Sequence, residues 1–285
     1  RTIRAARSAR RWICSRPRGS IARGGNMETL HFDSEEIRRR TTVLETVDST
    51  NLEARRRGVK GAPEGAVFVA VEQAAGRGRL GRVWTSPPGG LWMSMLVRPS
   101  GGSDARMPRL SLAAGVAAAT GLAQVFEETG LDPDIVKLGW PNDLLVEDRK
   151  IGGILCELCT DAPSAFVIVG LGINLNNSAQ EMPPDISTSV FDLSGQRYPV
   201  GLALEKTAPL LDNYISAALG GGFEKVLDEW RMRAALFGRK VKLQSPGSEP
   251  AVVMPYDIDD AGRLLVRDSA GGRRAVEFEE TTLVR

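Results

Sequence analysis

A segment rich in glycine and arginine occupies residues 76–81, with the sequence Gly-Arg-Gly-Arg-Leu-Gly. Its glycines leave the backbone free to adopt positive φ angles and to turn several N–H groups towards one anion. Arg77 and Arg79 add two positive charges to the same loop. This composition is also typical of solvated surface loops and of nucleic-acid-binding segments. The segment by itself therefore predicts an anion-binding loop without identifying the anion.

Six further polar or aromatic segments could share a site with this loop. Their hydroxyl and amide groups suit hydrogen bonding to a polar ligand, and their cations suit a carboxylate or a phosphate. Each also has an ordinary structural explanation, as a helix cap, a turn or a core aromatic residue. The segments are Ser49-Thr50-Asn51, Gln73, Trp84, Trp140-Pro141-Asn142-Asp143, Arg149-Lys150 and Gly170-Leu171-Gly172-Ile173-Asn174.

The order and spacing of these segments resemble the biotin–protein ligase family over residues 43–174, and the C-terminal part is also similar. Fewer than 45 residues precede the ligase segment, so the resemblance implies the monofunctional type without a DNA-binding domain. It also implies ATP-dependent biotinylation, in which the carboxylate of biotin attacks the α-phosphate of ATP and releases pyrophosphate. The resulting biotinyl-5'-AMP passes its acyl group to a lysine of a biotin carboxyl carrier domain.

The resemblance also implies a role for each site residue. A carboxylate attacking a triphosphate brings like charges together, so cations are needed at the reaction centre, and Mg²⁺ is expected with ATP without assigned ligands. Closure of the loop would protect the anhydride from water, and we expect the loop to be disordered when empty. The implied catalytic residues are Arg77, Arg79 and Lys150; the biotin-binding residues are Ser49, Thr50, Asn51, Gln73, Arg77, Gly78, Arg79 and Lys150; the residues near the nucleotide are Asn142, Asp143 and Asn174.

Two positions depart from the family pattern. Gly139 stands directly before Trp140, where the family usually has a lysine, and Lys137 lies two residues earlier. Positions 137 and 139 face the same side of a strand, so Lys137 could partly supply the charge, displaced by about 6–7 Å along the strand. In the C-terminal part, residues 277–280 (Glu-Phe-Glu-Glu) stand where glycine is commoner in the family.

Alternating apolar runs and turn signals predict the elements that position these residues. Residues 66–71 and 91–97 are apolar runs that predict strands on either side of the loop, and residues 105–129 predict a long helix. Short connections between later strands favour a largely antiparallel sheet. The fold class is therefore α+β, and the resemblance implies a class II synthetase-like domain followed by a small SH3-like β-barrel. We expect an Arg-rich disordered extension at 1–26, a catalytic domain at 27–237 and the C-terminal domain at 238–285.

Charge separates the first 26 residues from the rest of the chain. Residues 1–26 contain eight Arg and no acidic residue, so 29 basic and 35 acidic residues give residues 27–285 a net charge of −6. Generic attraction to nucleic acid therefore loses its support, and we expect no nucleic-acid partner. A transit peptide is the alternative explanation of the Arg-rich extension.

Cysteine usage and hydropathy predict a cytoplasmic protein without a membrane partner. No run approaches the roughly 18 apolar residues that span a bilayer. The three cysteines, Cys14, Cys156 and Cys159, do not form an even disulfide set. Cys156 and Cys159 would face opposite sides of a strand and could not readily hold one metal ion. A homodimer is one assembly that the sequence allows.

Two other functions remain as alternatives at this point. Lipoate–protein ligases and octanoyl transferases share the implied fold, but they bind a flexible acyl chain and are not expected to carry this Gly-Arg loop. A non-enzymatic nucleic-acid-binding or adenylate-binding module is the second alternative, because the departure at Gly139 leaves room for lost catalysis.

Overall fold

In a computed structural model of the chain, the structure describes residues 30, 32–99, 107–162, 164–178, 181, 186–244, 249–278 and 282–284. The extension expected at residues 1–26 lies outside these residues. The larger of two β-sheets contains β1 (Thr41–Val47), β2 (Val67–Gln73), β3 (Leu91–Val97), β4 (Lys137–Gly139), β5 (Asp143–Val146), β6 (Arg149–Cys159) and β7 (Phe166–Ile173). Their order is β1-β2-β3-β7-β6-β5-β4. Only the β1–β2 pair in this described sheet is parallel, so the predicted α+β fold with a largely antiparallel sheet is confirmed.

Six α-helices are found among the described residues: α1 (Glu35–Arg40), α2 (Thr50–Val59), α3 (Met107–Thr129), α4 (Val190–Ser194), α5 (Val200–Gly220) and α6 (Phe223–Met232). The long helix α3 packs against α5 and α6 and on strands β6 and β7. Gly121 permits the close approach of α3 to α5, because a methyl group there would lie 2.7 Å from Oγ1 of Thr207. Small residues in α3 therefore set the distance between the two helices.

Helix α3 corrects one expectation from the sequence. In the described part of the chain it is long and apolar enough to cross a membrane by length and composition, whereas no such run was expected. In the fold, 78% of its apolar window is buried inside the protein. Packing in the core therefore accounts for its apolar composition.

The two faces of the seven-stranded sheet differ in what covers them. Met93, Met95, Val169 and Leu171 point into the large core on the face covered by α3. On the opposite face, Leu96, Phe166 and Ile168 form a smaller core with Ala54 of α2. By strand alternation, Ser94, Gly170 and Gly172 share the α2 side of the sheet. The small size of these three residues leaves an open space beyond the N-terminus of α2.

The second sheet has five antiparallel strands in the order β11-β10-β9-β8-β12. They are β8 (Val241–Gln244), β9 (Ala251–Ile258), β10 (Leu264–Asp268), β11 (Arg273–Val276) and β12 (Thr282–Val284). This sheet is joined to the larger one through Trp140, whose indole Nε1 donates to the carbonyl oxygen of Gly262 at 3.1 Å. The predicted small C-terminal β module is therefore present, while its boundary at residue 238 stays a prediction.

Candidate active site

A cavity of about 440 Å³ lies on the α2 side of the seven-stranded sheet. Lys137 is not among the described residues that line it, so the structure gives no support to Lys137 as a substitute for the lysine missing at Gly139. The walls of the cavity bring together all the catalytic, biotin-binding and nucleotide-binding residues that the resemblance implies: Ser49, Thr50, Asn51, Gln73, Arg77, Gly78, Arg79, Asn142, Asp143, Lys150 and Asn174, together with Trp84 and Trp140.

Two glycines of β7 make room for the side chains at the cavity floor. A methyl group at Gly170 would lie 2.2 Å from Oδ1 of Asn51, and one at Gly172 would lie 2.7 Å from Nε1 of Trp84. Carbon atoms do not approach non-bonded atoms so closely without displacing them. The glycine spacing in residues 170–174 therefore reflects close packing against the site residues.

A chain of hydrogen bonds connects the start of α2 with the loop. The carboxamide oxygen of Gln73 accepts from the backbone N–H of Thr50 at 2.8 Å, and Nε2 of Gln73 donates to Oγ of Ser86 at 2.7 Å. Ser94 lies 2.8 Å from Oγ1 of Thr50 and is fully buried in the apolar strand β3. Sequence reasoning missed Ser94, although a serine within an otherwise apolar strand signals a buried polar group that needs a partner.

The side chain of Asn51 is bonded entirely to protein groups. Its Nδ2 donates to the carbonyl oxygen of Leu155 at 3.2 Å and to Oε2 of Glu157 at 2.7 Å, and its Oδ1 accepts from Oγ of Ser94 at 2.6 Å. Both partners of Nδ2 are acceptors only, which determines the orientation of the amide. Glu157 also faces Arg77, with 3.5 Å between Oε1 and the guanidinium. Sequence reasoning missed Glu157 as well.

Ser49 is the N-cap residue of α2, as the sequence predicts, but its hydroxyl does not cap the helix. The preceding residue, Asp48, instead accepts from the backbone N–H of Ser49 and from both terminal nitrogens of Arg56. The Arg56 guanidinium lowers the pKa of Asp48 from 3.8 to about 2. Capping therefore does not explain the hydroxyl of Ser49, which is buried at the cavity wall.

The opposite wall carries the cations. Nζ of Lys150 lies 2.5 Å from Oδ1 of Asp143 and 5.1 Å from the centre of the Trp84 ring. The guanidinium of Arg79 lies within 3.4 Å of Oδ1 of Asn142 and donates to the carbonyl oxygen of Phe278. Lys150 and Arg79 thus bring two positive charges to the part of the cavity beside Asn142 and Asp143, which suits the binding of an anionic group there.

Residues 76–86 form a compact loop above this wall. A methyl group at Gly76 would lie 2.2 Å from the carbonyl oxygen of Trp84, so only glycine fits there. The backbone N–H of Gly78 donates to the carbonyl oxygen of Arg82 at 2.7 Å. Leu80 and Val83 are 60% and 81% exposed, which leaves apolar surface at the cavity rim.

Asn174 and the two described cysteines have structural surroundings. Nδ2 of Asn174 donates to the carbonyl oxygen of Thr188 at 3.0 Å, which ties residues 186–189 to the end of β7. Cys156 packs against the large core and Cys159 lies in the smaller one, so they face opposite sides of β6 as predicted. Both are free thiols, and burial raises their pKa values, to about 12 for Cys156 and about 11 for Cys159. Within the described residues, no group of three or more His, Cys, Asp or Glu could hold a metal ion.

Comparison with known sequences gives consistent matches. The model of the biotin/lipoate A/B protein ligase family matches residues 43–174. A biotin–[acetyl-CoA-carboxylase] ligase from Mycobacterium tuberculosis is 32% identical over 251 residues, which are 84% of this chain and 86% of the relative. A ligase of the same name from Paracoccus denitrificans is 31% identical over 237 residues, covering 80% of this chain and 95% of the relative.

Solved structures agree with the sequence matches. The biotin protein ligase from Aquifex aeolicus in complex with biotin and ATP has a TM-score of 0.73 and 27% identity, covering 86% of this chain and 98% of that chain. The ligase from Leishmania major in complex with biotinyl-5-AMP has a TM-score of 0.59 and 26% identity, covering 83% and 98%. With relatives above 30% identity matched over most of their length, the chain belongs to the biotin–protein ligase family.

Proposed function

We propose that this protein is an ATP-dependent biotin–[acetyl-CoA-carboxylase] ligase. A carboxylate oxygen of biotin forms a bond to the α-phosphorus of ATP while the bond to the β-phosphate bridge breaks, which gives biotinyl-5'-AMP and pyrophosphate. The amine of a carrier lysine then attacks the acyl carbon, AMP leaves, and the amine loses a proton. The observation that carries this proposal is the meeting of cations and short polar side chains in one cavity.

The cations supply what the first step needs. Two anions must approach each other, so positive groups aimed at the developing charge lower the barrier. We assign this role to Arg77, Arg79 and Lys150, which line the cavity. Each charge-assisted hydrogen bond contributes on the order of 1.5–3 kcal/mol. Asn142, Asp143 and Asn174 are the proposed neighbours of the nucleotide, and Asp143 already holds the Lys150 ammonium at 2.5 Å.

The polar wall at the start of α2 suits the ureido ring of biotin, which offers both donors and acceptors. Ser49 is supported as a direct contact because its hydroxyl is not used for capping. Thr50, Gln73 and the backbone of Gly78 complete the proposed set. Asn51 lines the same cavity, but its amide is bonded to protein groups, so we propose that it shapes the floor of the biotin site.

Mg²⁺ fits this site only as a partner of ATP. Asp143 is the one carboxylate among the described residues that line the cavity. Mg²⁺ typically keeps several waters and binds through one or two carboxylates and the phosphates of a nucleotide. We therefore propose that the Asp143 carboxylate, which also pairs with Lys150, would be the protein ligand of Mg²⁺ and that the ion, when bound, would neutralise phosphate charge.

Loop closure is proposed to protect the intermediate. Leu80 and Val83 expose apolar surface at the rim, and Ile186 adds to it with 59% exposure. Burial of these side chains over a bound adenylate would exclude water from the mixed anhydride. The loop is proposed to be disordered when the site is empty and ordered when it is filled.

The proposed partner is the carrier domain of a biotin-dependent carboxylase, with no nucleic acid and no membrane involved. We propose a cytoplasmic location, supported by the two free thiols among the described residues. The homodimer that the sequence allows also stays a prediction, which the elution volume on a calibrated size-exclusion column would test.

The test combines the purified protein with biotin, MgATP and a biotin carboxyl carrier domain, and detects the biotinyl group on the carrier by intact mass spectrometry. Octanoate and lipoate in place of biotin serve as substrate controls, and a carrier lacking the acceptor lysine serves as the acceptor control. Transfer specific to biotin is expected. Correctly folded protein that leaves the carrier mass unchanged would reject the proposal.

Lys150→Ala tests the cation assignment, with Lys137→Ala as the matched lysine control outside the cavity. Lys150 is proposed to donate one charge-assisted hydrogen bond to the biotin carboxylate and one to the α-phosphate. Loss of both predicts a decrease in pyrophosphate release by roughly 10²–10⁴-fold. The Lys150–Asp143 pair is partly exposed, so the free energy of unfolding should fall by less than about 1 kcal/mol. Equal rates for Lys150→Ala and Lys137→Ala would contradict the assignment.

A further inference from the structure

We propose that Glu157 is a positioning residue whose single carboxylate holds both the Asn51 amide under the cavity and the Arg77 guanidinium at its rim. The inference rests on the proposed function, since it concerns the geometry of the biotin site. Glu157 belongs to β6 and is partly buried, with a side chain that is 29% exposed. Neither its sequence position nor its residue type suggested a role in the site.

The contact with Asn51 holds this side chain in place at the floor of the cavity. Asn51 is 3% exposed, and its Nδ2 lies 2.7 Å from Oε2 of Glu157. A buried amide with an unpaired donor is unfavourable, so loss of this acceptor would favour rotation or displacement of the side chain. Asn51 is in the first turn of α2, directly after Thr50 and Ser49, which line the cavity. The Glu157–Asn51 bond therefore anchors the segment that contacts the proposed biotin ring.

The contact with Arg77 restricts the orientation of this loop side chain before an anion binds. Oε1 of Glu157 lies 3.5 Å from Arg77, whose side chain is 45% exposed. An exposed arginine populates many rotamers, and a fixed partner reduces the conformational entropy lost when the arginine meets an anion. Arg77 is the first arginine of the loop, which closes back on itself through the Arg77–Val83 bridge. The Glu157 carboxylate thus contacts both the loop and the start of α2 and holds them in a fixed relative position.

The two contacts use different oxygen atoms, which makes them separable by mutation. Glu157→Gln keeps one oxygen that can accept from Asn51 but removes the charge that faces Arg77. Glu157→Ala removes both interactions. If the ion pair with Arg77 served stability alone, its loss would lower the melting temperature without changing biotin affinity and turnover differently in the two variants.

The experiment measures pyrophosphate release by the full chain with biotin and MgATP, and the melting temperature of each variant. For Glu157→Gln, kcat should fall about 5-fold to 10-fold while KM for biotin stays within about 3-fold. For Glu157→Ala, kcat should fall similarly and KM for biotin should also rise about 10-fold or more. Asp161→Asn is the matched control, because Asp161 pairs with Arg55 at 2.9 Å on the exposed surface, and it should leave both constants unchanged.

The proposal is overturned if both Glu157 variants keep kcat and KM within 2-fold of the wild type. It is also overturned if both constants worsen equally in the two variants and only in proportion to a lower melting temperature. Wild-type protein that releases no pyrophosphate would reject the proposed function instead. Calorimetry without ATP measures the biotin dissociation constant of the wild type and both variants and tests the Asn51 contact separately. The constant should rise in Glu157→Ala and not in Glu157→Gln, and equal constants in all three proteins would contradict a role for this contact in biotin binding.

Discussion

Gly170→Ala tests whether the cavity floor depends on the absence of a side chain in β7. The added methyl carbon would lie 2.2 Å from Oδ1 of Asn51 and 2.9 Å from both Cγ and Nδ2. Strand β7 cannot shift easily, because β3 and β6 pair with it on both sides. Asn51 would therefore have to move away from Ser94 and Glu157, to which it is bonded at 2.6 and 2.7 Å.

The expected loss of stability combines the overpacking at residue 170 with the disruption of the Asn51 hydrogen bonds. Overpacking of a well-packed interior costs about 1–3 kcal/mol, and each disrupted hydrogen bond adds about 1 kcal/mol. Partial relaxation makes a total loss of about 2–4 kcal/mol in the free energy of unfolding the expected result. The biotin dissociation constant should rise by about 10-fold or more, since the displaced residue anchors Ser49 and Thr50.

Urea unfolding followed by circular dichroism measures the first quantity, and calorimetry with biotin measures the second. Gly115→Ala is the matched control: a methyl group there meets its nearest neighbour at 3.5 Å, and Gly115 lies within α3. Alanine in a helix interior is favoured over glycine by about 0.5–1 kcal/mol, so this variant should be equally or more stable. The reasoning is refuted if Gly170→Ala matches Gly115→Ala in stability and also binds biotin like the wild type.

Three shorter predictions concern other contacts. Phe278→Ala removes a ring whose centre lies 4.9 Å from the Arg79 guanidinium, so biotinyl-AMP should escape about 2-fold to 5-fold faster, as measured by chromatography of the free adenylate. Cys156 and Cys159 have pKa values raised by burial; iodoacetamide at pH 8 should label these two thiols only after unfolding. Rapid labelling of either one in the native protein, located by peptide mass spectrometry so that Cys14 is counted separately, would contradict this. The lowered pKa of Asp48 means that its ion pair stabilises the fold above about pH 4 and that this stability is lost as the pH falls towards 2. Asp48→Asn should therefore lower the melting temperature at pH 7 but not near pH 2; the effect should stay below about 1 kcal/mol, because the Asp48 side chain is 43% exposed.

The regular elements with strong periodicity were predictable from the sequence. The strand at residues 91–97 was predicted with the observed bounds, and the predicted helix at 105–129 corresponds to α3. Two short helices were not predicted: α1 has six residues and α4 has five, too few for a clear periodic pattern. The parallel pairing of β1 with β2 was also missed, because local spacing carries information about hairpins but not about crossovers.

The site residues also divide into those that the sequence predicted and those that it did not. Residues that a recognisable motif carries were predicted to share one place, and the structure brings them together in one cavity. Ser94 and Glu157 were missed because no motif marks them and their importance comes from neighbours distant in sequence. The same distance in sequence explains why the bonding of Asn51 was not foreseen: a helix-start asparagine gives no sign that β6 supplies its acceptors.

The departure at Gly139 has a different meaning in the fold than in the sequence. Gly139 lies directly opposite Asp143 in the β4–β5 pair, so a lysine at 139 would extend on the same face as that carboxylate. In this chain the Asp143 carboxylate is bonded to Lys150, which reaches it from β6 at 2.5 Å. Because residue 139 is glycine, no side chain from that position competes with Lys150 for the Asp143 carboxylate. We therefore expect catalytic competence to depend on Lys150, which lines the cavity, and Gly139 to change the charge around Asp143 without removing the cation from the site.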